Sequence, residues 1–362
     1  MTLGILGGGQ LARMLAIAAA PLGIKVRSYD PSADACAGDV CELRVGDYDD
    51  NLRLTDFANG LDVVTYEFEN VPTEAVKFLE PHAPVRPGKM SLATSQDRAL
   101  EKPMLEQAGF ELAPWRRIDS LQQLREAIAL VGTPAILKTR RGGYDGKGQA
   151  IIAHADDADR AWVSIEGSPA VLESMLAFDR ELSLVAVRGL DGAMAAYPLV
   201  ENEHRQGILR VTSAPASGIE PSLQAAAESM AATLLESLNH IGVLTIEFFE
   251  TNGALVANEF APRVHNSGHW TIDGAATSQF ENHVRAVLGL PLGPTTVRTP
   301  TVMLNCVGAM PEPTTVLADA CAKLHDYCKP PRPGRKVGHV NVLGLEQGRI
   351  YEIAERMDID LG

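Results

Sequence analysis

Short apolar runs in the first hundred residues of this chain alternate with stretches that favour helix. The apolar runs cover residues 2–6, 25–29, 40–45 and 63–67, and the helical stretches lie around residues 10–20, 50–59 and 73–79. Strands that alternate with helices in this way are typical of a parallel sheet covered by helices. The pattern therefore predicts an open parallel α/β domain that is complete by about residue 98.

Later in the chain, apolar runs are joined mostly by short turns, which favours antiparallel pairing. These runs cover residues 134–138, 150–153, 170–176, 182–187, 194–200, 242–249, 302–307 and 323–327. Helices are predicted at 97–108, 222–239 and 278–288. Arg98 and Lys102 lie one turn apart on the first of these helices, and such a pair of cations is usually solvated.

A dense group of polar residues follows the run at 242–249, which itself carries one carboxylate, Glu247, between β-branched and aromatic residues. The dipeptide Asn252-Gly253 predicts a hairpin, and the returning strand carries Glu259. A strict two-residue turn would place Glu247 and Glu259 on opposite faces, whereas a three-residue loop or one bulge would place them on the same face. We expect the second arrangement. Two carboxylates close together on a rigid hairpin suit Mg²⁺; the alternative is two unrelated acids at a sheet rim.

A glycine-rich segment at 141–149 follows the apolar strand that ends in Lys138. The segment does not match the nucleotide-binding Walker A loop, because Gly148 follows Lys147 where Ser or Thr is required and a strand rather than a helix comes next. A glycine-rich turn between antiparallel strands is typical of a flap that closes over nucleotide phosphates, with Lys138 beneath it. A mobile basic surface hairpin is the alternative.

The first turn of the chain, from Gly7 to Ala12, matches the dinucleotide-binding fingerprint together with Asp30. Taken alone, this motif supports no more than an anion site at a helix N-terminus. The acids of residues 66–72 follow the last parallel strand, where they would either face a ligand or cap the next helix. The Pro-rich turn that carries Arg335 and Lys336 would be either an anion clamp or a basic surface turn.

Composition narrows the range of partners. The chain has a formal net charge of −14, which argues against nucleic acid and anionic membranes, so anionic substrates would need local cations. The N-terminus has no signal-peptide pattern and no apolar run reaches the length of a membrane span, so we expect a cytoplasmic protein. Five cysteines without a Cys-x-x-Cys pair indicate reduced thiols.

Five strings distributed over the whole chain closely resemble the N5-carboxyaminoimidazole ribonucleotide synthetase family of ATP-grasp enzymes. They are Gly-Gly-Gly-Gln-Leu-Ala-Arg-Met (7–14), Tyr-Glu-Phe-Glu-Asn-Val-Pro (66–72), Arg-Gly-Gly-Tyr-Asp-Gly-Lys-Gly-Gln (141–149), Asn-Glu-Phe-Ala-Pro-Arg-Val-His-Asn-Ser-Gly-His-Trp-Thr (258–271) and Pro-Gly-Arg-Lys-Val-Gly-His (333–339). The resemblance implies an α/β (α+β overall) ATP-grasp fold with three domains. These are a Rossmann-like domain at 1–98, a small lid domain at 99–176 and a C-terminal antiparallel-sheet domain at 177–362.

By this resemblance, the chain would use ATP and bicarbonate to carboxylate 5-aminoimidazole ribonucleotide through carboxyphosphate, with Mg²⁺, or Mn²⁺ as an alternative, as the metal. Glu247 and Glu259 would hold the metal. The residues implied for ATP are Arg98, Lys138, Gly143, Tyr144, Asp145, Gly146, Lys147, Gly148, Gln149, Glu173, Ser174, Met175, Leu176, Glu181, His204, Asn258 and Glu259. The catalytic candidates are Asp145, Arg263, His265 and Lys336, with Asp145 as the proton acceptor. The residues implied for the ribonucleotide are Gln10, Tyr144, Asn266, Ser267, Arg335 and Lys336.

Alternatives to this interpretation use the same residues differently. An ATP-grasp ligase specific for formate or an amino acid would share Lys138, Glu247 and Glu259 but not the 263–269 string. A nicotinamide-dependent oxidoreductase would depend on the Gly7–Asp30 fingerprint alone, and a non-enzymatic nucleotide sensor is the third hypothesis. The expected partners are small molecules, without nucleic acid or membrane, and we expect a homodimer.

Overall fold

A computed structural model describes residues 1–142, 148–344 and 347–362. The strands of these residues form three sheets, which confirms the predicted combination of a parallel N-terminal sheet, a small central sheet and a large antiparallel C-terminal sheet. No helix in the described part of the chain is both long enough and apolar enough to cross a membrane.

The N-terminal sheet is parallel and has the order β3-β2-β1-β4. Its central strand is buried on both faces, which explains the uninterrupted apolar run that β1 carries. The elements are β1 (Thr2–Leu6), α1 (Gln10–Ala19), β2 (Lys25–Asp30), β3 (Glu42–Val45), α2 (Asn51–Ala58), β4 (Val63–Tyr66), α3 (Thr73–Leu79) and α4 (Lys89–Ser95).

The small central sheet is antiparallel with the order β6-β9-β7-β8, and two helices pack on it around a core of its own. The segment that precedes it, α5 and β5, packs instead with the large sheet. The elements are α5 (Arg98–Gln107), β5 (Glu111–Leu112), β6 (Trp115–Ile118), α6 (Leu121–Val131), β7 (Ala135–Thr139), β8 (Gln149–Ile152), α7 (Ala158–Ser164) and β9 (Ala170–Ser174).

The large sheet has the order β17-β18-β16-β13-β12-β10-β14-β15-β5, and β11 pairs with β10. All of its pairings are antiparallel except the one between β15 and β5. Its elements are β10 (Arg180–Arg188), β11 (Met194–Ala196), β12 (Val200–Arg205), β13 (Ile208–Ala214), α8 (Pro221–Ser237), β14 (Gly242–Thr251), β15 (Ala254–Ala261), α9 (Thr271–Gly274), α10 (Gln279–Leu288), β16 (Thr301–Val307), α11 (Pro313–Leu317), β17 (Ala322–Asp326), β18 (Lys336–Leu343) and α12 (Ile350–Arg356).

One hydrophobic core joins the N-terminal sheet to the large sheet through α1 and α10. A buried histidine adds a polar bridge at this junction. The backbone N–H of Val243 in β14 donates to Nδ1 of His283 at 3.0 Å, and Nε2 of the same ring lies 2.8 Å from the hydroxyl of Thr65 in β4. Because Nδ1 accepts, Nε2 carries the proton and donates to Thr65. The two parts of the chain are therefore held in one fixed arrangement.

Candidate active site

The β14–β15 hairpin positions two carboxylates side by side. Asn252 and Gly253 form its two-residue turn with positive φ angles of 51° and 75°, the conformation that Asn-Gly favours. The register then shifts by one residue, so that Asn258 is an extra residue and Glu247 pairs directly with Glu259. The prediction that both carboxylates lie on one face is confirmed, through a bulge and not through a longer loop.

The surroundings of the two carboxylates favour a bound cation. The Glu247 side chain is only 22% exposed, and burial together with the Glu259 carboxylate raises the pKa of Glu247 to about 7. Nη2 of Arg98 donates to Glu259 Oε2 at 3.3 Å. No group of three or more His, Cys, Asp or Glu in the described ranges is placed to hold a metal. A divalent ion here would therefore take two protein carboxylates and fill its other positions with phosphate oxygens and water, as Mg²⁺ commonly does.

A third carboxylate, Glu101, lies next to this pair and was not singled out in the sequence. It is 2% exposed, and its Oε1 accepts the backbone N–H of Phe260 at 2.7 Å. Burial and the charge of Glu259 raise the pKa of Glu101 to about 8. Glu101 lies on helix α5, 158 residues before Glu259, and nothing in the local sequence of that helix indicates the contact.

Two pockets meet at Glu247. The larger is a solvent-open cleft of about 570 Å³ whose charged lining is Glu69, Arg98, Glu101, Glu247, Glu259, Arg263 and His265. The smaller one has a volume of about 200 Å³ and is lined by Glu181, Leu182, Asn202, His204, Glu247, Phe248, Phe249 and Asn258. The structure thus brings together Glu181, His204 and Asn258, which the sequence assigned to ATP, on one side of the carboxylate pair. Arg263 and His265 lie on the other side.

His204 is held in the smaller pocket by its acid partner. Its Nδ1 lies 2.6 Å from Oε2 of Glu181. Burial alone would lower the pKa of His204, but the hydrogen bond to Glu181 and the charge of Glu247 raise it. Both acids thus stabilise the protonated imidazole relative to the neutral one.

The lysine predicted to clamp phosphate belongs to a buried group of charges. Nζ of Lys138 lies 3.1 Å from Oε2 of Glu173 and 3.4 Å from Oδ1 of Asn258. Nζ of Lys102 lies 3.1 Å from Oε1 of Glu173, and only 2% of its side chain is exposed. The expectation that Lys102 is solvated is therefore wrong, because Glu173 supplies a buried partner that the helical pattern does not indicate.

The segment from Glu173 to Leu176 was expected to contact adenine. Both carboxylate oxygens of Glu173 face lysines in this structure. The backbone N–H groups of Ser174 and Met175 donate to Pro114 O at 2.8 Å and to Pro134 O at 3.0 Å. The Met175 side chain is exposed and that of Leu176 is half-buried. The two backbone contacts attach the segment to the residues just before β6 and β7 of the central sheet.

The glycine-rich turn at the N-terminus holds a carboxylate of the protein itself. Glu67 accepts the backbone N–H of Gly9 at 2.7 Å and those of Leu11 and Ala12 at 3.1 Å, and Asp30 accepts that of Gly8 at 2.8 Å. A Cβ on Gly9 would lie 2.6 Å from Glu67 Oε1. The glycines accommodate Glu67, so the expected anion site is already filled. These backbone N–H groups are therefore not available to bind a phosphate or the phosphates of a dinucleotide.

Two further contacts involve cations, Arg263 in the lining of the larger cleft and Lys329 beside Gln10. Nε of Arg263 donates to the carboxylate of Glu69, and this guanidinium lowers the pKa of Glu69 although burial alone would raise it. Nζ of Lys329, a residue that the sequence did not single out, donates to Oε1 of Gln10 at 2.6 Å. Burial lowers the pKa of Lys329, and the charge of Arg335 lowers it further. The Pro-rich turn therefore brings its cations close to Gln10.

Lys336, the first residue of β18, acts electrostatically on both pockets. Its positive charge contributes to the lowered pKa of Glu69 and of His265, and it offsets part of the rise in the pKa of Glu247. Asn266, by contrast, is engaged within the protein, because its amide exchanges two hydrogen bonds with Asn305 at 3.0 and 2.7 Å.

A buried chain of hydrogen bonds fixes the protonation of His265. The backbone N–H of Ser267 donates to Nδ1 of His265 at 3.3 Å, so Nδ1 carries no proton and the Ser267 hydroxyl, 2.9 Å away, donates to it as well. Ser183 lies 2.7 Å from the Ser267 hydroxyl and accepts from Asn202 at 2.9 Å. Thr212 donates to Asn202 Oδ1 at 2.9 Å, which fixes the orientation of that amide.

The direction of these hydrogen bonds determines which ring nitrogen of His265 carries the proton. Its Nε2 carries the proton and faces Glu247 Oε1 at 3.3 Å. Burial, with the charge of Arg263, lowers the pKa of His265 well below its usual range, so the ring is neutral. Its protonated edge faces Glu247, so His265 cannot act as a base there. His269, in the same polar string, is 1% exposed and contacts Gln279 beneath the site.

Part of the glycine-rich segment lies outside the described residues, namely Gly143, Tyr144, Asp145, Gly146 and Lys147. Its ends are described. Thr139 in β7 donates its N–H to Gly148 O at 2.9 Å, and Gln149 opens β8. Gly148 has a φ of +69°, and a Cβ there would lie 2.6 Å from the Thr139 hydroxyl, so glycine is required. The predicted strand–turn–strand arrangement around this segment is confirmed at both of its ends.

The chain matches three known protein domains and is similar in sequence to known enzymes. The ribonucleotide synthetase preATP-grasp domain matches residues 1–96, the ATP-grasp domain residues 103–280, and the phosphoribosylaminoimidazole carboxylase C-terminal domain residues 301–352. The chain is 46% identical to the N5-carboxyaminoimidazole ribonucleotide synthase of Pseudomonas aeruginosa, over 98% of each sequence.

Solved structures show the same similarity. The crystal structure of N5-carboxyaminoimidazole ribonucleotide synthetase from Thermus thermophilus matches with a TM-score of 0.94 and 49% identity, over 98% of this chain and 97% of that one. The enzyme from Aspergillus clavatus, solved with ADP and 5-aminoimidazole ribonucleotide, matches with a TM-score of 0.88 and 28% identity, over 99% and 98%. The chain belongs to the N5-carboxyaminoimidazole ribonucleotide synthase family of ATP-grasp ligases.

Proposed function

We propose that the two pockets that meet at Glu247 divide the reaction of this family between them. That reaction is the ATP-dependent carboxylation of 5-aminoimidazole ribonucleotide to N5-carboxyaminoimidazole ribonucleotide in purine biosynthesis. The observation that carries the proposal is the direct pairing of Glu247 with Glu259. The smaller pocket, which we assign to the nucleotide, lies on one side of this pair, and the cations of the larger cleft lie on the other. Phosphoryl transfer requires mostly positioning and charge neutralisation, which such an arrangement supplies.

The smaller pocket and the lysines next to it would hold ATP. Lys138 lies beside Asn258, which lines that pocket, so a modest movement of its ammonium group would bring it to a phosphate. His204, whose pKa is raised by its hydrogen bond to Glu181, would face the same ligand. Arg98 contacts Glu259 and would neutralise charge near the transferred phosphate. The loop 143–147 and Gln149 would close over the nucleotide.

Glu247 and Glu259 would bind Mg²⁺, or Mn²⁺ in its place, together with phosphate oxygens. When bound, this ion supplies the positive charge that neutralises the phosphoryl group as it is transferred. The pKa of Glu247, raised by burial and by Glu259, fits this assignment, because two neighbouring carboxylates repel each other without a cation. His265 would orient Glu247 through its Nε2–H.

The chemistry would proceed in two displacements. An oxygen of bicarbonate attacks the γ-phosphorus of ATP, ADP leaves, and carboxyphosphate forms. The exocyclic amine of the ribonucleotide then attacks the carboxyl carbon, phosphate leaves, and the amine gives up a proton, for which Asp145 is our candidate acceptor. The residues that would surround the ribonucleotide and bicarbonate are Gln10, Tyr144, Arg263, His265, Asn266, Ser267, Arg335 and Lys336.

An ADP-release assay tests the proposal. Release should require bicarbonate and should increase when 5-aminoimidazole ribonucleotide is added, with one N5-carboxyaminoimidazole ribonucleotide formed for each ADP. Formate and amino acids should not replace bicarbonate. ADP release that depends on formate or on an amino acid, without bicarbonate, would contradict the proposed substrate. Binding of a nicotinamide dinucleotide is not expected, because Glu67 occupies the amides that its phosphates would need.

We also propose a cytoplasmic location and a homodimer. All five cysteines are free thiols, as expected in a reducing compartment. The homodimer is implied by the family resemblance. Light scattering on the purified protein tests it, and a mass near the 38.8 kDa of one chain would contradict it.

A further inference from the structure

Lys102 is almost fully buried and lines neither of the two pockets. Its side chain is 2% exposed, and its ammonium group makes two contacts: Glu173 Oε1 at 3.1 Å and the backbone carbonyl of Asn258 at 3.2 Å. Lys138 contacts the same two residues through their other atoms, Glu173 Oε2 and Asn258 Oδ1. One buried carboxylate is thus shared between two ammonium groups.

The charges of this group decide how Lys138 can behave. Burial would raise the pKa of Glu173, but the charges of Lys138 and Lys102 lower it to about 2, so Glu173 is ionised. The three side chains together carry one net positive charge. If Lys138 and Glu173 were alone, they would form a neutral pair, and moving Lys138 to a phosphate would leave a bare carboxylate buried in the protein. Such a charge without a partner is strongly unfavourable.

We propose that Lys102 is a positioning residue that neutralises Glu173 and so leaves the charge of Lys138 available to the phosphates of ATP. The proposal rests on the function given above to Lys138. Lys102 never contacts the nucleotide. It keeps its ion pair with Glu173 while Lys138 exchanges Glu173 for a phosphate oxygen, so the Glu173 carboxylate has a cationic partner in both states.

Lys102 also has a structural role, and the experiment must distinguish that role from the electrostatic one. Its bond to the carbonyl of Asn258 helps to hold the bulge that aligns Glu247 with Glu259. Loss of that hydrogen bond would disturb the hairpin whatever the charge of the group. The two roles differ in one respect: only the electrostatic role predicts that removing the charge of Glu173 compensates for removing that of Lys102.

The test compares dissociation constants for ATP and for AMP, measured by calorimetry, in Lys102→Met, in Lys102→Arg, in Glu173→Gln and in the double variant Lys102→Met/Glu173→Gln. We expect Lys102→Met to weaken ATP binding roughly ten- to hundredfold, from the loss of one nearby buried charge, and to affect AMP much less. Lys102→Arg should bind ATP within about threefold of the wild type, because it keeps the charge. The double variant again carries one net positive charge. Lys102→Met should therefore cost clearly less ATP affinity in the Glu173→Gln background than in the wild type, a comparison with the Glu173→Gln single variant that cancels any direct contact of Glu173 with the nucleotide.

Three outcomes would overturn the inference: unchanged ATP affinity in Lys102→Met, equal losses for ATP and AMP, or a loss from Lys102→Met that is as large in the Glu173→Gln background as in the wild type. If Lys102→Met does not fold, Lys102→Gln replaces it, since the amide can still donate to Asn258 and only the charge is lost. Lys138→Met separates this inference from the proposed function. If Lys138→Met binds ATP normally, the phosphate clamp itself is wrong. If only Lys138→Met weakens ATP binding, the role of Lys102 is wrong.

Discussion

Glu247 lies directly opposite Glu259 on one face of the β14–β15 hairpin, because Asn258 is an extra residue in the returning strand. The carbonyl and the amide oxygen of Asn258 accept from Lys102 and Lys138. The residue that sets the register of the carboxylates is therefore held by the same buried charges that we place next to the phosphates. Alignment of the proposed metal ligands and of the proposed phosphate clamp would therefore depend on one local irregularity of the sheet.

Replacing Glu259 by Gln should reduce turnover by orders of magnitude while the fold survives. The change removes one of two protein carboxylates for the metal, and the lost neutralisation matters most as the γ-phosphoryl group moves. Steady-state ADP release and circular dichroism measure the two effects. Glu74→Gln, which changes an exposed acid on α3, is the matched control and should keep wild-type turnover. Full activity of Glu259→Gln would exclude the shared-metal assignment.

Replacing Thr212 by Val should lower turnover about tenfold or more, an effect common for residues that support metal ligands from behind. Valine has nearly the shape of threonine but cannot donate to Asn202, so the buried chain of donors loses its fixed direction at His265. Thr212→Ser keeps the hydroxyl and should remain close to wild type. In ¹⁵N NMR, wild-type His265 should show its proton on Nε2. A proton on Nδ1 in the wild type would contradict the proposed direction of the chain.

The hairpin shows how far the sequence could predict this site. Asn252-Gly253 identified the turn, Glu247 was found from its apolar surroundings, and Glu259 was found in the dense group of polar residues that follows. The register stayed open, because a bulge at Asn258 has no residue signature and depends on contacts with Lys102 and Lys138, both more than a hundred residues away. The turn geometry is encoded by neighbours in the chain. The register is stabilised by distant parts of it.

The same distinction explains the two errors at Lys102 and at the first glycine-rich turn. Helical spacing shows which residues share a face, but not that Glu173 would be buried against that face. Glycines that let a phosphate approach helix α1 equally let Glu67 approach it, so the motif alone cannot distinguish a ligand from the protein's own carboxylate. Resemblance at the level of whole strings resolved the function, whereas single motifs left it open.

Replacing Glu67 by Gln should lower the thermal midpoint by several degrees. Gln would either turn an amide NH₂ toward N–H groups of α1 or lose one of the three backbone hydrogen bonds, and an unsatisfied buried donor costs about 1–3 kcal/mol. Scanning calorimetry measures the shift. The control is Glu80→Gln, at an exposed acid beyond α3. An unchanged midpoint would mean that the turn does not depend on the Glu67 carboxylate.

Stability should fall as the pH is lowered from about 6.5 toward 4. Burial lowers the pKa of His283 to about 3, so the unfolded chain takes up a proton there before the native protein does. The histidine contribution is fully present above the unfolded pKa and is lost below it, by up to about 1.4 kcal/mol per pH unit. Urea unfolding at several pH values measures this slope.

His283→Gln should be less stable at pH 7, because it breaks the bridge between Val243 and Thr65, yet its stability should fall less steeply with pH. His240, whose pKa burial lowers to about 4, retains its own share of the slope. The control is His82→Gln, an exposed histidine after α3, which should leave the slope unchanged. An equally steep decline in His283→Gln would show that this buried ring is not a source of the acid sensitivity.

Replacing Lys336 by Ala should separate the two half-sites kinetically. Lys336 begins β18 next to the Pro-rich turn, and Lys138 lies in the central sheet, so each cation is proposed to serve a different substrate. A lost charge-assisted hydrogen bond to an anion costs about 1.5–3 kcal/mol, so kcat/KM for the ribonucleotide should fall by roughly one to two orders of magnitude. The KM for ATP should change far less. Lys323→Ala, at an exposed cation on neighbouring β17, is the matched control.

Bicarbonate-dependent ADP release without ribonucleotide provides the decisive comparison for Lys336→Ala. That partial reaction should be nearly unchanged, because it requires only the nucleotide side of the site. Lys336 also acts on the pKa of Glu247, so its charge does reach the carboxylate pair, and a moderate change in the partial reaction is compatible with that contribution. A variant that loses ATP affinity while it keeps its ribonucleotide KM would place Lys336 on the nucleotide instead. The ribonucleotide assignment of the Arg335–Lys336 turn would then be wrong.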